Sequence, residues 1–394
     1  MSGKNLTYIF GAGSSKDFGF PLGNEIFLQA ERILSDTRIT AEDRAELKPA
    51  VKEVDRIMRQ IYSRLPADKS KYPLFEEVMT FVWQSRQYET QDWSNKKNLG
   101  AWVTLFDKRS SEVLKDFVKM LVMMMSLVRK RLRFKKELLL YETFIKSLKL
   151  RENNVSIISL NYDLLIDTIL LKCANQGVIR DFNYGVPLYS MTDGRSCRNG
   201  GVSLLKPHGS LNLSSSTGNE GGTYYHYSET NTAVDIIQGR VTSCPDPHNT
   251  GHCYRLKPLI IPPLYVKGSY TKESQKTQVY ERRRGVRSIE RGVLEEYRNW
   301  YVDRSISDSL EKADELTIVG YSMPAYDFDF KSLLIKGLMK NRRRQRVPVY
   351  IISKGNRGRL DDLKARFQHL AGEVRFIGEK GFLNYLKEEV GTSK

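Results

Sequence analysis

Hydrophobic and polar positions follow two different periods along this chain. Residues 5–10, Asn-Leu-Thr-Tyr-Ile-Phe, form a short run with β-branched and aromatic content, the pattern of a buried strand. The run enters Gly11-Ala12-Gly13, and a helix is predicted from about Gly23 to Leu34. The chain therefore opens as strand, turn and helix. Between residues 40 and 150 the period lengthens. Leu47, Val51, Val54, Met58, Ile61 and Leu65 recur at steps of three or four, the stripe of an amphipathic helix. Val113, Phe117, Leu121, Met124 and Val128 form a second stripe, and Leu138, Tyr141, Phe144, Ile145 and Leu148 a third. Pro49 is predicted early in the first of these helices, where its missing N–H costs little. Met123-Met124-Met125 reads as adaptable core packing.

From residue 155 the strand–helix alternation returns. Val155–Leu160 is a strand, Asn161-Tyr162-Asp163 stands at its end, and a helix follows from Leu164 to Cys173. Residues 177–257 are rich in Gly, Ser, Asn, Thr and Tyr and predict loops with short hairpins. Leu259–Ile261, Leu316–Val319 and Val347–Ile352 are further strands; Lys331–Leu338 and Leu360–His369 are helices. The pattern predicts an α/β fold: a Rossmann-like, mainly parallel sheet with helices on both faces and an inserted helical domain. The expected limits are 1–38 with 150–394 for the sheet domain, 177–257 being a loop-rich insert within it, and 39–149 for the helical insert. Ligands of such sheets bind beyond the C-terminal strand ends, at a topological switch point. Gly11, Asn161 and Gly320 all fall at predicted strand ends.

Charge adds a second theme. The net charge is +17, from 63 basic and 46 acidic side chains. The excess is clustered at Arg129-Lys130-Arg131 with Arg133, Lys135 and Lys136, at Arg282-Arg283-Arg284 with Arg287 and Arg291, and at Arg342-Arg343-Arg344 with Arg346. Such clusters attract nucleic-acid phosphates or acidic protein surfaces, and solvated helix faces give the same composition. The four cysteines, Cys173, Cys197, Cys244 and Cys253, are too few for a disulfide framework and fit a reducing compartment. No apolar signal region opens the chain, and the longest near-apolar run, Leu121–Val128, is too short to span a bilayer. The expectation is a cytoplasmic protein without membrane contact.

Five segments carry candidate chemistry. In Gly11-Ala12-Gly13-Ser14-Ser15 the glycines allow a tight turn and close approach to a phosphate, which a helix N-terminus would favour. Lys16 occupies the third glycine position of the usual dinucleotide fingerprint, so a plain strand–helix turn is the alternative. Gly19-Phe20-Pro21 follows. Asn161 and Asp163, two apart at a strand end, can face one ligand; Asp163 also suits a helix cap. His208, in Lys206-Pro207-His208-Gly209-Ser210, has an imidazole suited to proton transfer near neutrality and sits in an irregular loop. Gly320-Tyr321-Ser322 is a turn after a strand. Cys244, His248, His252 and Cys253 place four potential zinc ligands within ten residues. The adjacent His252-Cys253 pair makes tetrahedral coordination awkward, and a solvent-exposed loop is the expected reading, with no metal.

In this order the segments resemble those of sirtuins. Gly11–Ser15 with Gly19-x-Pro21 is similar to the sirtuin nucleotide loop, Asn161-x-Asp163 to the Asn-x-Asp at the equivalent strand end, and His208-Gly209 to the general-base segment. Gly320-Tyr321-Ser322 resembles the Gly-Thr-Ser turn that holds the adenosine side of NAD+, with Tyr321 in place of Thr. Leu160 stands where sirtuins usually have Gln, and the two zinc-binding Cys-x-x-Cys pairs are absent. The whole looks most like the sirtuin-like NAD+ hydrolases of prokaryotic antiphage defence, of the compact kind that forms homo-oligomers with a HerA-type hexameric ATPase. That resemblance implies cleavage of NAD+ to ADP-ribose and nicotinamide, with NAD+ as substrate. It implies that Asn161 orients water or a ribose hydroxyl, His208 acts as general base, and Asp163 orients the nicotinamide or nearby ribose. Gly11, Ala12, Gly13, Ser14, Ser15, Pro21, Gly320 and Ser322 would bind the nucleotide. The competing expectations are an NAD-dependent protein deacylase and a basic nucleic-acid-binding or nuclease component of a defence complex.

Overall fold

The structure, a computed structural model, describes residues 3–62, 64–91, 110–131, 135–148, 153–192, 194–198, 201–217, 223–245, 253–261, 297, 302–325, 327–342, 347–370 and 372–391. These divide into two compact units. One holds the described residues up to Phe18 and from 135 onward; the other spans Gly19–Arg133. The divide therefore falls at 18/19 and 133/134, not at the 38/39 and 149/150 read from hydrophobic period. The reason is aromatic packing. Tyr141 and Phe144, on the helix Lys135–Ser147, stack with Phe10 and Phe382 of the sheet unit, Tyr141 and Phe382 having centroids 5.0 Å apart.

The first unit is α/β and Rossmann-like. Its strands are β1 (Asn5–Phe10), β2 (Asn154–Ser159), β3 (Phe182–Asn183), β4 (Leu188–Ser190), β5 (Ser196–Cys197), β6 (Val202–Leu205), β7 (Gly209–Thr217), β8 (Thr223–Tyr227), β9 (Ser243–Pro245), β10 (Cys253–Arg255), β11 (Lys257–Ile260), β12 (Glu315–Val319), β13 (Val349–Ile352) and β14 (Val374–Gly378). Seven of them make one parallel sheet in the order β14-β13-β12-β1-β2-β6-β3, flanked by helices. Ile9, Phe10, Ile157, Ile158, Ile318, Val319, Ile351 and Ile352 are buried, the near-continuous apolar run of strands covered on both faces. β1 is central. The chain adds β2, β6 and β3 on one side of it, then β12, β13 and β14 on the other, which makes the β1/β12 boundary the switch point.

Register fixes what stands there. Phe10 is level with Ser159 and with Val319, and Ile158 is level with Leu205. Gly11, Leu160, Lys206 and Gly320 therefore leave the sheet along one edge.

Residues 177–257 are more regular than the expected loops and hairpins. Four of their strands join β11 in a second sheet, ordered β11-β7-β8-β4-β5, in which β4 and β8 run parallel and the other pairs antiparallel. β9 and β10 form a separate hairpin. Leu259–Ile260 thus belongs to this second sheet rather than to the parallel one. Its register shifts between Pro258 and Ile260, beside a residue that cannot donate to the ladder.

The second unit is helical, with Ile26–Ser35, Ala41–Ile61, Phe75–Gln91 and Ser110–Arg131. Phe27, Tyr72, Phe75 and Phe117 form its aromatic centre. Thr40 caps the second helix by accepting from the Asp43 N–H at 3.1 Å. Pro49 lies in that helix's interior, not early in it. The carbonyl it leaves unpaired belongs to exposed Ala45, where water can satisfy it. Met123–Met125 are buried, as core packing requires. Among the described residues no helix is long and apolar enough to cross a membrane.

Candidate functional site

The site is built where β1 and β12 end side by side. Gly11 N–H donates to Val319 O at 2.9 Å, and Gly13 N–H donates to Gly320 O at 2.9 Å. The two turns touch backbone to backbone. A Cβ on Gly13 would lie 2.8 Å from Gly320 O, and one on Gly320 would lie 2.1 Å from Ser14 N. Gly320 also has φ +62°, where side chains are strained. Contact between the turns therefore accounts for these glycines. The donors of Gly11 and Gly13 are engaged as described, and Ser14 N–H bonds to Gly11 O at 2.9 Å. Ala12 is exposed at the start of the short helix Ala12–Lys16.

Asn161 ties the end of β2 to this loop. Its Nδ2 lies 3.0 Å from Gly11 O, 3.1 Å from Ser14 Oγ and 3.0 Å from Ser15 Oγ. Because the amide NH2 is engaged, the side-chain carbonyl is what Asn161 has to offer a ligand. Asp163 acts as a local cap: its Oδ1 accepts from Leu165 N–H at 2.9 Å. Burial holds its carboxyl above the usual range, against the opposing effect of Lys206.

Lys206 is fully buried, and its ammonium makes three hydrogen bonds, to Asp163 O at 2.6 Å, Asp167 Oδ2 at 2.8 Å and Ser210 Oγ at 2.7 Å. Asp167 Oδ1 accepts from Tyr184 OH, which in turn accepts from Asn212 Nδ2 at 3.0 Å. This network fastens the Asn161–Asp163 turn to the His208 loop. Gly209 begins β7 with φ +74°, and a Cβ there would lie 1.9 Å from Leu259 O. Only glycine allows that crossing beside His208. His208 O accepts from Ile261 N–H at 2.9 Å, and Ile261 O accepts from Tyr162 OH at 3.0 Å.

The His208 ring is buried, with Nε2 3.6 Å from Asp327 Oδ1. Asp327 Oδ2 accepts from Tyr321 OH at 3.0 Å, so the turn that meets Gly13 also reaches toward His208. Hydrogen bonds and strand ends thus gather Gly11, Gly13, Ser14, Ser15, Asn161, Asp163, His208 and Gly320. No family model and no curated protein matches this chain.

Other predicted residues lie elsewhere. Ser322 is exposed, its carbonyl accepting from Arg366 at 3.1 Å. Pro21 belongs to the helical unit. Of the Cys/His group, His248 and His252 lie outside the described residues. Cys244 is buried in β9 rather than on an exposed loop, and its Sγ is 3.4 Å from Nε2 of buried His226. Among the described residues no group of three or more His, Cys, Asp or Glu side chains could hold a metal. Of the basic clusters, Arg133, Arg282–Arg284, Arg287, Arg291, Arg343, Arg344 and Arg346 lie outside the described residues.

Sequence reading missed Lys206, Asp167, Tyr184, Asn212 and Asp327 as parts of the site. Lys206 had a signal, two residues from His208 in the same short segment. Asp327 had none, because only the fold brings it beside His208.

Proposed function

We propose that this protein is an NAD+ glycohydrolase that releases nicotinamide and ADP-ribose. The observation that carries this reading is the convergence of Asn161, His208 and the Gly11 and Gly320 turns on adjacent strand ends at the switch point of a parallel sheet. In the reaction, the C1′–N bond breaks and its electron pair returns to the nicotinamide ring. A bond forms from water oxygen to C1′, and the water proton passes to His208. The carbonyl of Asn161 accepts a hydrogen bond from that water or from a ribose hydroxyl, holding it near the reacting carbon. Asp163, two residues on, orients the nicotinamide or the nearby ribose. The resemblance to sirtuin-like defence proteins supports an NAD-depleting role controlled by self-assembly or by a HerA-type ATPase. The missing Cys-x-x-Cys pairs favour water over an acyl-lysine as acceptor.

The test is nicotinamide release from NAD+ by the wild type, Asn161→Ala and His208→Ala, alone and with a HerA-type ATPase. General-base assistance contributes roughly 10²–10⁴-fold, so each variant is expected to lose about that much. Wild-type rates in both variants would remove this site assignment. Release that requires an acylated peptide would make the protein a deacylase instead.

A further inference from the structure

The surroundings of His208 carry the reading to a specific atom. Nδ1 is buried and has no hydrogen-bond partner, while Nε2 faces Asp327 Oδ1. Asp327 is itself buried, and its other oxygen is held by Tyr321 OH at 3.0 Å. A neutral imidazole carries one N–H, and an ionised carboxylate can only accept. The carboxylate beside Nε2 therefore favours the tautomer with the proton on Nε2 and the lone pair on Nδ1. The 3.6 Å separation is an ion-pair distance rather than a hydrogen bond, so the preference is electrostatic.

We propose that Asp327, oriented by Tyr321, is a positioning residue that holds His208 as the Nε2–H tautomer, making Nδ1 the atom that takes the proton. This rests on the reading of His208 as the general base in NAD+ hydrolysis. In the step, a water O–H bond breaks and an Nδ1–H bond forms. The imidazolium then keeps its Nε2–H beside the Asp327 carboxylate. Without a partner in the protein, Nδ1 keeps its lone pair for a proton, and a buried unpartnered nitrogen calls for an explanation in any case. The same arrangement gives Tyr321 a function: it links the turn packed on Gly13 to the ring that accepts the proton.

The experiment uses the full chain labelled with 15N-histidine. The chain has five histidines, and the His208 signals are those lost in His208→Ala. At alkaline pH the wild type is expected to show a pyridine-type Nδ1 and a pyrrole-type Nε2 at His208. Asp327→Ala should mix or reverse the two forms, and Tyr321→Phe should shift them less. In parallel, kcat for nicotinamide release should fall roughly 10²–10⁴-fold in Asp327→Ala with KM nearly unchanged, and less in Tyr321→Phe. A wild-type ring protonated on Nδ1 overturns the proposal even if neither Asp327→Ala nor Tyr321→Phe folds. So does an Asp327→Ala protein with both the wild-type tautomer and the wild-type kcat. The two readings separate cleanly. Loss of release in His208→Ala, with Asp327→Ala unaffected in rate and tautomer, leaves the hydrolase and removes the role of Asp327. No release by the wild type, with the tautomer still dependent on Asp327, leaves the pair and removes the hydrolase.

Discussion

At the scale of single residues the molecule turns on a few backbone contacts. Gly320→Ala would push a Cβ to 2.1 Å from Ser14 N and 2.4 Å from Gly13 C at φ +62°. Strain of that kind costs of order 1–3 kcal/mol from the dihedral alone. The substitution is expected to lower the urea midpoint by at least that equivalent and to loosen Asn161 from its loop. Gly358→Ala, where a Cβ meets nothing within 4 Å, is the matched control and should leave the midpoint unchanged or slightly raised. The special status of Gly11 and Gly13 was legible in the sequence, and so was the capping role of Asp163. The reason for the glycines was not, because the turn that presses on them begins at Gly320. Asp327 was invisible for the same reason: its meaning lies in a ring distant along the chain.

At the scale of elements, the buried ion pair of Lys206 and Asp167 joins the turn after β2 to the loop before β7. Removing one partner of such a pair leaves an uncompensated charge and costs about 3–5 kcal/mol. Lys206→Met should lose about that much in chemical denaturation, and adding Asp167→Leu should return part of it. The second sheet carries a pH signature. His226 is buried beside Ser216 and Cys244, and loss of hydration lowers its titration from 6.5 to about 4. The unfolded chain then takes the proton first as pH falls. The stability due to the neutral ring is complete above about pH 6.5 and is lost progressively toward pH 4, roughly 3 kcal/mol in all. His226→Gln should flatten that part of a stability–pH curve. Strands rich in β-branched and aromatic residues, such as β1, β2, β12 and β13, were readable because period and composition agree. β14 and the helix Asp303–Lys312 were not: the apolar residues of Val-Arg-Phe-Ile-Gly do not alternate over a readable length, and Asp-Arg-Ser-Ile-Ser-Asp holds a single one. Leu259–Ile260 read correctly as strand but not as to which sheet. Local pattern sets strand propensity, and pairing sets membership.

At the scale of the whole molecule, two compact units are threaded by one chain that leaves the sheet unit after Phe18 and returns before the helix Lys135–Ser147. Each has its own core, so unfolding is expected to depart from two-state behaviour. Three of the four tryptophans, Trp83, Trp93 and Trp102, fall in the segment of the helical unit. Fluorescence and far-UV circular dichroism should therefore trace different urea transitions, and coincident curves would show a single cooperative unit. The strand order also bears on how the protein is made. β1 is made before the strands that flank it and sits in the middle of the sheet, and its neighbour β12 begins only at Glu315. Until β12 is made, the edge of β1 that it covers has no partner within this sheet. Such an edge invites pairing with other chains. Slow elongation between the two strands would lengthen that exposure, and yield in the cell should respond to chaperones that shield the N-terminal strand.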